Sequence, residues 1–65
     1  MTLKEYADGR RMVEARRRLL DKKLQIQEIA RRLGFEYSQS FIRFFRSIEG
    51  VSPGDYREQN SPPNA

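Results

Sequence analysis

Apolar residues recur along this chain at a helical spacing, and no segment shows the alternation of a strand. Met12, Ala15, Leu19 and Leu20 form one stripe, along which the stem of Arg16 can also lie. Ile26, Ile29, Ala30 and Leu33 form a second. Phe41, Phe44, Phe45 and Ile48 form a third, at i, i+3, i+4 and i+7. An aromatic stripe at this spacing is core far more often than a ligand box. The stripes predict helices over 3–21, 26–33 and 38–48, and the Pro-started segment 53–57 predicts a short fourth. The fold class is therefore all-α. Phe41, Phe45, Leu33, Ile29 and Leu19 are expected to be buried together.

The polar positions mark where these helices begin and end. Thr2 and Glu5 form a capping box, in which hydroxyl and carboxylate satisfy each other's backbone amides. Gly9 weakens the helix so started by about 1 kcal/mol relative to Ala. Lys22 and Lys23 suit the negative pole at its far end. Gly34 accepts the left-handed conformation that stops a helix, and Ala30 one turn earlier permits close helix packing. The third helix starts between Glu36 and Ser38 and ends before Gly50. Ser52 caps the last helix and Pro53 takes its first position. Residues 1–58 form the domain. Residues 59–65 have nothing to bury and are expected to be a disordered tail.

Size and composition narrow the chemistry. At 65 residues the chain makes one small domain near the lower limit for a single apolar core. It has no Cys and no His, so it lacks disulfides, thiolate metal sites and the commonest acid–base group. No nucleophile–base pair or metal cluster stands out, so neither an enzyme nor a cofactor is expected. No signal peptide or membrane-length apolar run is present, and a cytoplasmic protein without a membrane partner is expected.

Charge points toward a polyanion. The net charge is +4, distributed as +4 over residues 1–23, +2 over 24–48 and −2 over 49–65. A basic body suits nucleic acid, although a well-solvated helical surface accounts for the charge alone equally well. Arg16, Arg17 and Arg18 do not make one patch, because successive helical residues point roughly 100° apart.

With the phenylalanine stripe inward, the opposite face of helix 38–48 is centred on Gln39, Arg43 and Arg46, flanked by Ser40 and Ile42. Arg can donate twice to guanine O6 and N7, and Gln can pair with adenine N6 and N7. Ser serves either base or phosphate. Arg46, one turn beyond Arg43, is better placed for a phosphate. Amides near Ile26 and Gln27 offer a second phosphate contact. Ile42 is either a spare core contact or a reader of thymine methyls. A helix, a glycine turn and a second helix with such a face have the pattern of a helix-turn-helix, although periodicity alone fits a solvated surface at Gln39 and Arg43 as well as groove contact.

From Thr2 to Arg57 the chain resembles the C-terminal part of the AraC/XylS family DNA-binding domain. The matching residues are E-A-R-R-R-L-L at 14–20, I-x-E-I-A-x-x-L-G-F at 26–35, Phe41, Arg43 and Phe45, and G-V-S-P-x-x-Y-R at 50–57. The resemblance implies bacterial transcription regulation, in the nucleoid, by two helix-turn-helix units joined by a linker helix. Residues 3–21 look like that linker, and 26–48 look like the second unit. By the same resemblance Tyr37, Ser38, Gln39, Ile42 and Arg43 face double-stranded DNA, with Arg46 on the backbone. RNA polymerase is a further candidate partner.

The chain departs from the family pattern at Gln25 and Glu36, where capping Ser is usual, and at Ile42, where a small polar residue is usual. A first helix-turn-helix and an effector domain are expected in the parent protein. A short echo between Thr2–Tyr6 and Ser52–Tyr56, each a hydroxyl cap followed by a Tyr, points the same way. Two other readings remain open: a protein-interaction module, or a fragment with little DNA affinity.

Overall fold

The computed structural model describes residues 2–60. They form four helices: α1 (Leu3–Leu19), α2 (Ile26–Arg32), α3 (Ser38–Glu49) and α4 (Pro53–Gln59). No strand occurs among the described residues.

The helix starts follow the local chemistry. Glu5 N donates to the Thr2 hydroxyl at 3.1 Å, and Thr2 N donates to the Glu5 carboxylate at 3.4 Å. Ser52 accepts from Asp55 N at 3.2 Å, with Pro53 behind it in the first turn of α4. Gln25 gives α2 no side-chain cap, and neither does Tyr37 give one to α3. Gly34, with φ of 91°, ends α2. There Phe35 N donates to Ala30 O at 2.9 Å and Gly34 N to Arg31 O at 3.0 Å, the paired bonds of a Schellman turn. That turn aims Phe35 back at the core.

Every helix ends off its expected residue, α2 at Arg32 and α3 at Glu49 by one residue each, and α1 and α4 by two. α1 stops at Leu19, not Asp21, because Leu20 N and Asp21 N close tighter bonds to Arg17 O and Arg18 O. The Asp21 carboxylate then accepts from Lys23 N at 3.0 Å, a local turn that competes with further helix. At the other terminus α4 runs past 57 to Gln59, and Asn60 caps it through bonds to Tyr56 O. Gln59 and Asn60 are thus part of a helix end, and residues 61–65 of the expected tail lie outside the described residues.

Met12, Ala15, Leu19, Ile29, Ala30, Phe41 and Phe45 make the buried core, with Leu24, Ile26, Leu33, Phe35, Phe44 and Tyr56 packed around it. Leu33 is half-buried, so it borders the expected cluster without being enclosed by it. Phe35 stacks obliquely on Phe41 and Phe44, and Tyr56 of α4 meets Phe45 edge-on. Leu20 and Ile48, expected inside, are 57% and 49% exposed. Leu20 lies beyond the end of α1 and a step around from Leu19, which takes the buried position. Ile48 is out because α3 is turned about its axis. Its inner face is centred near Phe45 and Ser38, and includes buried Phe41 with half-buried Ile42 and Glu49.

One arginine ties these elements together. The Arg57 guanidinium donates to Leu19 O at 2.8 Å, Leu24 O at 2.6 Å and Asp21 O at 3.3 Å. These carbonyls belong to the end of α1 and the turn into α2; Asp21 O also accepts from Leu24 N at 3.1 Å, while Leu19 O and Leu24 O depend on the guanidinium. Arg57 therefore locks α4 to the entry of the helix-turn-helix.

Candidate nucleic-acid interface

The rotation of α3 decides which side chains it offers to a partner. With Phe41 and Phe45 fully enclosed, the opposite face carries Gln39, Ser40, Arg43, Arg46 and Ser47, all exposed. Among the described residues, Arg43 and Arg46 have no hydrogen-bond or ion-pair partner. Ser47, which the sequence pattern did not single out, turns its hydroxyl inward to donate to Phe44 O at 2.7 Å. Ile42 sits half-buried at the margin of this face, its exposed portion on the side of Gln39 and Arg46.

A second group of expected contact residues gathers where α2 and α3 begin to diverge. Gln27, Arg31, Tyr37 and Ser38 line a hollow of ≈ 190 Å³, together with Ala30, Phe35 and Glu36. Tyr37 adopts an extended backbone as the N-cap of α3 and is 66% exposed. Ser38 is half-buried, at the foot of the hollow. The structure thus separates the expected residues into two sets. Gln39, Ser40, Arg43 and Arg46 share the outer face of α3, and Gln27, Tyr37 and Ser38 share the hollow beside it.

Charge around these sets is uneven. Arg32 is engaged by Glu28 of its own helix at 3.2 Å, whereas Arg31 is not paired among the described residues. Glu36 brings a carboxylate to the rim of the hollow, where it opposes an approaching phosphate. On α1, Arg18 pairs with Glu14 at 3.2 Å. Arg16 reaches across to the end of α3, donating twice to Glu49 at 3.0 and 3.1 Å. Those hydrogen bonds hold the Arg16 guanidinium above its ordinary pKa, outweighing the opposing effect of partial burial. The sequence pattern assigned Arg16 only a packing role, and its ionic partner lies too far along the chain for any local signal.

No group of acidic side chains suited to a metal ion occurs among the described residues. No helix among them is long and apolar enough to cross a membrane.

The sequence matches the helix-turn-helix domain family over residues 1–59. Over 59 residues it is 36% identical to the uncharacterized HTH-type transcriptional regulator YtdP of Bacillus subtilis, covering 91% of this chain and 8% of that protein. It is 35% identical over 63 residues to the probable transcription factor PqrA of Proteus vulgaris, covering 97% of this chain and 52% of the relative. With the HTH-type transcriptional activator AarP of Providencia stuartii it shares 40% identity over 57 residues, covering 88% and 42%. The chain thus spans about half, or much less, of the relatives it matches. No solved structure gives a significant match. The four-helix fold, the glycine turn and these matches agree: the chain belongs to the AraC-type helix-turn-helix family of DNA-binding transcriptional regulators.

Proposed function

We propose that residues 2–60 act as one unit that reads double-stranded DNA by laying α3 in the major groove. The observation that carries this reading is the division of α3 into two faces. Phe41 and Phe45 are wholly buried, while Arg43 and Arg46 on the other side are exposed and unpaired. A helix held from behind through its first two turns presents the polar side chains of those turns at fixed positions, as direct readout requires.

Roles follow from position along the helix. Gln39 and Arg43, with Ser40 beside them, meet base edges, and Arg46 one turn on meets the backbone. The exposed part of Ile42 borders the same groove and suits a thymine methyl. Gln27, Tyr37 and Ser38 flank a phosphate at the hollow, where the first amides of α2 and α3, which have no side-chain cap, act against the opposing carboxylate of Glu36. The exposed apolar side chains Leu3 and Tyr6 support a preceding unit packed on the first half of α1 in a longer parent protein. One reading helix alone makes few phosphate contacts, so the isolated chain should bind DNA with a Kd on the order of 10⁻⁴–10⁻⁶ M.

The test is selection of preferred duplexes from a random library, followed by titration of variants at two salt concentrations. Arg43→Ala should lose about 1–3 kcal/mol on the selected duplex only, and relax the preference at one base pair. Arg46→Ala should weaken all duplexes alike and reduce the salt slope by about one charge. Equal losses for both variants on selected and random DNA would refute this division of labour. A library that yields no preferred sequence would refute base reading altogether.

A further inference from the structure

α3 is well anchored at its middle and poorly anchored at its end. Phe41 and Phe45 fix the first two turns, but Ile48 in the last turn is 49% exposed, and Gly50 ends the helix in a left-handed conformation. The last turn's own apolar side chain therefore adds little packing, and its apolar support comes from α4, through Tyr56 on Phe45 and the buried Pro53. The carboxylate of Glu49 is at that end, where it also opposes the negative pole of its own helix. A carboxylate so placed is unfavourable unless a cation is held against it.

Arg16 of α1 supplies that cation, through a two-point contact at 3.0 and 3.1 Å across 33 residues of sequence. Among the described residues it is the one ion pair that joins different helices, since Glu14–Arg18 and Glu28–Arg32 are each within one. Its carboxylate is the more enclosed side, with 21% of the Glu49 side chain accessible against 40% for Arg16. Two parallel hydrogen bonds between planar groups fix direction as well as distance. Five residues earlier on α1, the Arg11 guanidinium lies 5.3 Å from the centre of the Phe35 ring, which packs on Phe41 and Phe44. Two arginines of α1 thus touch the support of α3 near both of its ends.

We propose that Arg16 and Glu49 are positioning residues, whose two-point contact sets the tilt of α3 against α1 and so the register in which Arg43 and Arg46 meet DNA. The contact makes the direction of α1 and the set of the reading helix one rigid quantity. Arg16 is accordingly taken out of phosphate binding, although its charge counts toward the basic surface. The consequence for DNA rests on the groove-binding reading above, whereas the effect on the angle between the helices does not.

The 65-residue chain itself is the test object, with Glu49→Gln, Arg16→Gln, Arg16→Lys and the exchanged pair Arg16→Glu/Glu49→Arg. Two quantities are read: the α1–α3 angle from residual dipolar couplings in the absence of DNA, and the ratio of affinity for the library-selected duplex to that for a random duplex. The two Gln variants change net charge in opposite directions, so electrostatics alone moves their overall DNA affinity in opposite directions. Loss of positioning instead lowers the affinity ratio in both, by about fivefold, with recovery to within about twofold in the exchanged pair. Arg16→Lys keeps the charge without the planar fork, and should resemble the Gln variants in angle and ratio.

An unchanged angle in folded Glu49→Gln and Arg16→Lys would overturn the proposal, as would an exchanged pair that fails to restore it. Should a Gln variant unfold, Arg16→Lys alone decides by its angle. If the wild-type chain shows no sequence preference, groove reading fails, while the measured angles still decide whether this contact sets α3.

Discussion

The two halves of α1 are one continuous helix with opposite surroundings. From Met12 to Leu19 it sends Met12, Ala15 and Leu19 into the core, each at most 2% exposed. From Leu3 to Arg11 it carries Leu3 at 88% and Tyr6 at 54% exposure, and Val13 continues that bare side at 60%. A shallow apolar groove along Tyr6, Gly9, Arg10 and Val13 marks the same side. Apolar side chains occur in both halves, so residue type alone does not separate them. The second half is held by α2 and α4 around it. The first half is held by its capping box, by the Arg11 guanidinium over the Phe35 ring and by continuity with the packed turns. Burial is a property of the opposing surface as much as of the helix.

The largest test of this contrast is in the core. Phe45→Ala should cost about 3–5 kcal/mol, and Leu19→Ala about 2–5 kcal/mol, enough to unfold much of so small a domain. Leu3→Ala, in the same helix as Leu19, should change stability by less than about 0.5 kcal/mol. Urea or thermal unfolding followed by circular dichroism measures all three. Similar midpoints for Leu19→Ala and Leu3→Ala would mean that the two halves do not differ as described.

A smaller effect is expected at Gly9, between the halves. A Cβ added there meets nothing within 4 Å, and the backbone is helical. Gly9→Ala should therefore stabilise the helix by about 0.5–1 kcal/mol. The gain should appear mainly as slower amide exchange over residues 3–11, with a smaller rise in Tm. A lower Tm would point to a tight contact at Gly9 that the geometry does not contain.

What could be read from the sequence divides along similar lines. Local features were legible: the Thr2–Glu5 box, the Ser52–Pro53 start and the glycine stops each involve residues within five of one another. Periodicity also located the inner face of α3, but only to within a step or so around the helix. That margin is why Ile48 was expected inside and is half exposed, while Ser38 and Glu49 were not expected to be partly enclosed. The outer face tolerated the error, since Gln39, Arg43 and Arg46 are exposed under either rotation. Contacts between distant segments left no local trace. The Arg16–Glu49 pair spans 33 residues, and the Arg57 bond to Leu19 O spans 38. Each depends on how complete helices are set against one another, which no short window of sequence contains.

A comparably small effect probes the free end of α1 directly. The Thr2 hydroxyl accepts from Glu5 N at 3.1 Å, while the return bond from Thr2 N to the Glu5 carboxylate is longer, at 3.4 Å. The hydroxyl is thus the stronger half of the box. Thr2→Ala removes it and leaves one more amide of the first turn without a partner, a loss of about 0.5–1 kcal/mol for a cap in an exposed helix. If the first half of α1 is coupled weakly to the core, that loss stays local. Amides of residues 5–9 should exchange about two- to fivefold faster, with protection at Met12–Leu19 unchanged and Tm lowered by at most a degree or two. Ser52→Ala, which removes the equivalent cap from α4, offers the matched comparison. There Tyr56 packs on Phe45 and Arg57 holds the end of α1, so loss of the cap should reach the core and lower the global Tm more. Equal shifts in Tm for the two variants would show that the exposed end of α1 folds and unfolds with the core, and that its bare apolar side is stabilised in a way its surroundings do not explain.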